Sequence, residues 1–306
     1  MEEKVKVKEA FVFSDLEGNL FELTKELLEK EGYMIKEINL NDEYNPLDII
    51  FNVYEKGDFE EALILCKKLT NTIYYNPNTK DPFWKESAMN LLNVLILSAI
   101  DNTISDMKFF RRKKEELEEK LTLDKLGEIL KDLDGDELDR HFKGVADDNI
   151  IKEEYSIGSF KHFRKKEIIV KDALLGILNY RSPEDKSKFI DLNDLFDIGL
   201  KKEKDDKPVA VFLKSSDNNT FNCALSSIFI GQLYYILERH ENEICDRAVN
   251  FIIEGVRYPI SDLGDMFAIS KAKNIFFTLI DETIDNIAYV YGDSLRIMVN
   301  NSEVIL

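Results

Sequence analysis

An α/β fold interrupted by a large all-helical insertion is what this sequence of 306 residues predicts. Three observations carry that expectation. A short apolar strand, a helix and a second strand follow one another over residues 8–40, the pattern of a parallel βαβ unit. Helical periodicity then dominates from Asn45 to about Lys204, with no convincing strand. Short apolar runs return after Lys207.

Each element follows from its residues. KEAFVFS (8–14) is short and apolar, and DLEGN after it is a turn. Leu20, Leu23, Leu27 and Leu28 recur at helical spacing, and Gly32 stands where a helix ends. YMIKEINL (33–40) alternates like a strand. The middle is carried by FEEALILCKKL, FWKESAMNLLNVLILSAIDN, LDKLGEILKDL and IIVKDALLGILNY, all with helical patterns, separated by charge runs. After the polar linker KKEKDDK (201–207), PVAVFLK is a buried-strand pattern and FNCALSSIFIGQLYYILERH a largely apolar helix. AVNFIIE (248–254), NIFFTLI (274–280) and LRIMVN (295–300) complete the expected strands.

Composition bounds the function. With 44% hydrophobic and 33% charged residues the chain has the make-up of a globular protein, not of a disordered or collagen-like one. A net charge of −18 disfavours free binding to nucleic acid or an anionic membrane unless cations gather on one face. Cys66, Cys223 and Cys245 are too few and too scattered for a disulfide framework, which points to a reducing compartment. LLNVLILSAI (91–100) and the apolar stretch at 224–237 both fall short of the roughly 20 residues that span a bilayer. The expectation is therefore no membrane insertion by this chain.

Several motifs read as ordinary structure. DLDGDELDRH (132–141) has the acidic density of a calcium loop, yet its glycine stands fourth instead of sixth, and Lys143 occupies the closing twelfth place. A helix-capping acidic turn is the better reading. His141, His162 and His240 lack zinc spacing. No G-x-S-x-G and no G-x-x-x-x-G-K-[ST] occurs, and the 13 glycines form no phosphate-cradling loop. Two basic clusters interleave aromatics with cations: Lys108–Lys114, with Arg111, Arg112, Lys113 and Lys114, and Lys161–Lys166, with Arg164, Lys165 and Lys166. These are the candidate nucleic-acid or partner contacts. The simpler reading is a solvated helix face with Phe110 or Phe163 packed beneath, so direct nucleic-acid binding is expected to be weak or absent.

A series of segments in order resembles the TraG/TraD-type (VirD-like) coupling proteins of conjugative type IV secretion. They are AFVFS followed by Asp15-Leu16-Glu17-Gly18-Asn19, then Gly32-Tyr33, Asn39 and Asn45-Pro46-Leu47-Asp48. Asp81-Pro82-Phe83-Trp84 opens a helix, and an AVFL strand and a QLYY helix follow at Ala210 and Gln232. NFIIE, NIFFTLI and Tyr291-Gly292 close the series. The resemblance covers nearly the whole chain. It implies a RecA-like P-loop NTPase-type sheet carrying an all-α domain, in a family of hexameric ATPases that deliver DNA or protein substrates to a secretion channel.

The departures are chemical. The family's Walker A loop precedes the strand with which this chain nearly begins, so the expected sheet lacks the Walker A strand. The Walker B pair, Asp-Glu in the family, falls on Glu254 and Gly255. Glu254 keeps a metal-binding carboxylate, whereas Gly255 has no side chain to position a water. The family's D-P-K-G-E motif gives Asp15, Glu17 and Gly18 as the matching cofactor-binding positions, with Glu17 in place of lysine. Its later glutamine falls near Asp281 or Glu282.

These features together lead to the expectation of a degenerate coupling-protein-like component acting in substrate recognition or assembly. The alternative is one part of a split DNA-translocating ATPase whose Walker A portion lies on another chain. No cofactor is expected, with ATP and magnesium bound only if another chain completes the site; no metal site is expected. The expected partners are a secretion-system or relaxosome protein, a Walker A-bearing chain or further copies of itself. The expected place is the cytoplasm, peripheral to the inner face of the membrane through an assembly. The expected divisions are 1–75 and 205–306 for the two parts of the α/β core and 76–204 for the insertion. With a central strand missing, the sheet is expected to close up, to recruit VKVKEAF, or to be completed by another chain.

Overall fold

The computed structural model describes residues 1–76, 81–110, 121–178, 180, 189–199, 207–214, 220–239, 244–255 and 257–302. Two compact units form: Met1–Tyr44 with Ser187–Leu306, and Asn45–Lys186.

The first unit is built on five parallel strands that lie side by side in the order β2 (Met34–Asn39), β3 (Val209–Lys214), β1 (Ala10–Ser14), β4 (Val249–Glu254) and β5 (Ile275–Ile280). Helix α1 (Glu2–Lys6) precedes β1 (Ala10–Ser14), α2 (Asn19–Lys30), β2 (Met34–Asn39) and the short α3 (Leu40–Glu43). β1 is buried along its whole length, as its apolar run predicts for a strand covered on both faces. On one face Phe13 stacks on Phe212 with ring centroids 4.4 Å apart, and Phe21 of α2 meets Phe212 edge-on at 5.1 Å.

The second unit is helical throughout its described residues. It holds α4 (Asp48–Glu55), α5 (Phe59–Ile73), α6 (Pro82–Phe110), α7 (Leu123–Lys131), α8 (Gly135–Lys143), α9 (Ile150–Ile157), α10 (Ser159–His162) and α11 (Lys166–Ile177). α6 is by itself long and apolar enough to cross a membrane, longer than the 91–100 run considered above. Ala88, Leu91, Leu92, Leu97 and Ile100 are fully buried, however, and α5, α9 and α11 pack around it. It is the core helix of this unit. The division expected at residue 76 falls elsewhere, because α5 buries Leu65, Cys66, Leu69 and Ile73 and packs on α6.

The chain then returns to the first unit. A 3-10 helix (Leu192–Gly199) leads to β3 (Val209–Lys214), α12 (Thr220–Leu237) and β4 (Val249–Glu254). Then come α13 (Leu263–Ile269), a second 3-10 turn (Ser270–Lys273), β5 (Ile275–Ile280), α14 (Ile284–Tyr291) and α15 (Ser294–Asn300). α12 covers the second face of the sheet: Ser226 and Ser14 hydroxyls hydrogen-bond at 2.8 Å in the interior. Phe251 stacks on Phe277 at 4.9 Å, and Tyr234 and Phe267 pack on Phe277 from α12 and α13.

Three expectations resolve here. The strands close up, with β4 paired to β1 on one side and β5 on the other. VKVKEAF gives β1 only its last two residues, and Glu2–Lys6 is helical. LRIMVN is a helix, not a strand: α15 buries Met298 and leaves Ile297 and Val299 exposed. A short apolar run suits either state, and periodicity does not separate them.

Gly176 offers a packing test. A Cβ there would lie 2.2 Å from the Tyr74 ring, whose hydroxyl donates to the Ala173 carbonyl one turn back on α11. Gly176→Ala should destabilise the helical unit by about 1–3 kcal/mol, the usual cost of overpacking. Urea denaturation measures it.

Candidate functional site

In a parallel sheet ligands collect at the carboxyl ends of the strands, and the first unit has a cleft there. Its volume is about 710 Å³, and it lies beyond the ends of β1, β4 and β5. Among the described lining residues are four carboxylates, Glu17, Glu254, Asp281 and Glu282, and one guanidinium, Arg257.

The turn after β1 places the first of these. Asp15 is fully buried, and its two carboxylate oxygens accept the Leu20 and Phe21 backbone N–H groups at 3.1 and 2.7 Å. It closes the open end of α2, where unsatisfied donors favour an anion. Gly18 makes the sharp turn with φ +80°, a conformation that suits glycine. Glu17 is thrown outward and pairs with Arg257 at 3.6 Å.

β4 delivers Glu254 at its end, and Gly255 turns away with φ +67°. Burial raises the Glu254 carboxyl above the ordinary glutamate range, and the charges of Asp15 and Glu17 raise it further. Beyond β5, Asp281 accepts from the Asn286 amide at 2.5 Å and from the Glu282 N–H at 2.8 Å. Cys223 closes the floor. Burial pushes its thiol up, while a hydrogen bond and the charge of Arg257 oppose that shift.

The sequence-derived positions Asp15, Glu17, Gly18, Glu254 and Gly255 are thus gathered at one end of the sheet, but in different roles. Asp15 is a buried helix cap, Gly18 a turn, and Glu17 and Glu254 line the cleft. Arg257 was missed. It sits in an irregular segment whose local pattern carries no signal. Among the described residues no three or more His, Cys, Asp or Glu side chains gather in the arrangement of a metal site.

In the helical unit, Lys166 is committed to structure: it pairs with Asp139 and lies 5.1 Å over the Phe160 ring. Burial would raise the Asp139 carboxyl, but hydrogen bonds from Lys166 and the Tyr155 hydroxyl hold it below the ordinary aspartate value. Arg164 and Lys165 are exposed. Phe163 packs on Phe83 and Trp84 with centroids 5.5 and 5.2 Å away, so it anchors the segment. Asp134 caps α8, taking the Asp136 N–H at 2.8 Å, as the acidic-turn reading of 132–141 requires. Arg111, Arg112, Lys113, Lys114 and His240 lie outside the described residues.

Two outcomes follow. Asp15→Ala frees two N–H groups at the start of α2 and should cost about 0.5–2 kcal/mol in urea melts. Glu254→Gln should raise the melting temperature at pH 7, because the folded state binds the Glu254 proton more tightly than the unfolded chain does. The gain should fade on acidification and vanish below the ordinary glutamate range, where both states are protonated.

Comparison with known proteins places the chain. A family model for conjugative DNA transfer by the type IV secretory system matches residues 4–254. No curated protein matches. Among solved structures, the bacterial conjugative coupling protein TrwBdeltaN70, in its unbound monoclinic form, is similar over 98% of this chain and 68% of that one. The TM-score is 0.51 at 10% identity, a likeness of fold: RecA-like α/β. With most of its length matched by that family model, the chain belongs to the conjugative DNA transfer family of type IV secretory systems.

Proposed function

We propose that this chain serves conjugative DNA transfer as a substrate-recognition or assembly component, not as a self-sufficient ATPase. One observation carries the reading: the sign of charge in the cleft at the strand ends. A bound triphosphate is polyanionic and calls for backbone N–H groups, a lysine and a Ser/Thr on magnesium. This lining presents four carboxylates, and its one guanidinium is already paired with Glu17. Two like unit charges about 8 Å apart repel by about 2 kcal/mol at an effective dielectric of about 20, so several such pairs outweigh a single arginine. The donor set among the described residues does not fit a magnesium triphosphate. Gly255 adds that no carboxylate stands where the family positions its attacking water.

A second reading, a nucleotide site completed by another chain, is favoured by a separate observation. The outer side of β5 has no paired strand among the described residues, so another chain can extend the sheet there, although β4 itself is already paired on both sides. In either reading the helical unit, with exposed Arg164 and Lys165, is the surface offered to a relaxosome or secretion-system protein. The assembly would then sit at the inner face of the membrane.

Calorimetry and phosphate release with purified protein, magnesium and ATP test the first reading. The expected result is no micromolar binding and no steady turnover. Micromolar binding with turnover abolished by Glu254→Ala overturns it.

A further inference from the structure

We propose that the outer edge of β5 takes up a basic polypeptide segment as a sixth, parallel strand, whose C-terminal end carries a cation into the acidic cleft. This deepens the assembly reading above and rests on it.

The backbone sets the geometry. The Val249 N–H donates to the Asn274 carbonyl, and the Gly255 N–H to the Ile280 carbonyl. Alternation along the strand therefore turns the N–H and C=O groups of Phe277 and Leu279 away from β4. The two sheet edges differ in character. The edge strand β2 carries Lys36 and Glu37, and Glu37 is paired with Lys214; charges of this kind blunt an edge against further pairing. β5 reads IFFTLI, without a charge, and Ile280 is 40% exposed. α14, which follows it, has no buried residue, and its Tyr289 is 57% exposed. Among the described residues no strand pairs with the outer side of β5, and this apolar edge, followed by a helix with exposed apolar side chains, is the docking surface.

Charge selects the occupant. Residues leaving the C-terminal end of a parallel added strand enter the space beside Asp281 and Glu282, where the lining is acidic and the proton affinity of Glu254 is raised. A cation there lowers the energy of every carboxylate in the cleft. A second copy of this chain, at −18, approaches against long-range repulsion whatever the charge of its own basic segments. A basic segment of a different protein is the fitting partner.

The probe is a fluorescein-labelled peptide of alternating Val and Thr ending in Gly-Lys-Lys, with a twin ending in Gly-Glu-Glu. Anisotropy should show the lysine peptide binding about tenfold more tightly than its twin at low salt, with the ratio shrinking as salt rises. Amide exchange by NMR should show new protection at Phe277 and Leu279 but not at Thr278, whose N–H faces β4. Leu279→Pro removes one outward N–H, a position where an edge strand tolerates proline, and should abolish binding. Thr278→Lys keeps every backbone group, charges the edge, and should weaken the lysine peptide by about tenfold even if the proline variant does not fold. Equal binding of the two peptides, no binding of either, protection at Thr278, or unchanged binding by Thr278→Lys overturns the proposal. ATP calorimetry uses no peptide, so this proposal and the reading it rests on fail separately.

Discussion

The strand β1 is the constraint from which the α/β unit is built. All five of its residues are buried, so each of its backbone groups needs a partner inside the protein. Those partners are β3 and β4, which the chain reaches only after it has passed through the helical unit. Closing so long a connection costs entropy that grows slowly with length. A large insertion is therefore tolerated, provided the sheet it interrupts is strongly specified. The aromatic packing of Phe13, Phe21 and Phe212 on one face and of Phe251 and Phe277 on the other supplies that specification. A one-residue slip in register would exchange the two sets between faces.

The helical unit solves the opposite problem. Its centre is a single long helix, α6, apolar on nearly every side, and a helix of that kind is stable only when surrounded. The shorter helices α5, α9 and α11 surround it. Polar groups inside tie its helices together: Thr70 donates to Asn93 at 2.9 Å, and the Asn90 amide N–H groups reach the Glu154 backbone carbonyl and carboxylate. Gly158 lies so close to Asn90 that a Cβ would fall 1.6 Å from its oxygen, which explains glycine at that helix end.

What the sequence revealed follows from these packing rules. β1, β3 and β4 are legible because a strand buried on both faces must be a continuous apolar run. β5 is legible as an apolar run as well, although only its Ile275 is buried and its outer side has no paired strand among the described residues. LRIMVN has the same composition and is a helix, since nothing local distinguishes an apolar helical turn on the surface from a strand. Asp15, Glu17 and Glu254 were legible through resemblance to a family motif, but the motif did not disclose that Asp15 is a buried cap. That role depends on the first turn of α2, whose Leu20 and Phe21 N–H groups lie five and six residues on. Arg257 and Asn286 reach the cleft from irregular or helix-starting segments after β4 and β5, and only the tertiary structure brings them together.

The charge of the cleft follows from the sheet beside it. β1, β4 and β5 are largely apolar along their length and end on the same side, where Asp15, Glu254 and Asp281 stand. Asp15 is satisfied there by two N–H groups of α2, Asp281 by Asn286 and the Glu282 N–H, and Glu17 by Arg257. The remaining imbalance is expressed at Glu254, whose carboxyl holds its proton more tightly than usual because burial partly excludes water and, beyond that, because Asp15 and Glu17 are near. A cap needed for folding thus adds to the electrostatic demand that burial places on the site. An anion entering the cleft opposes that demand and a cation meets it, although the same residues fall at the positions of a nucleotide-site motif.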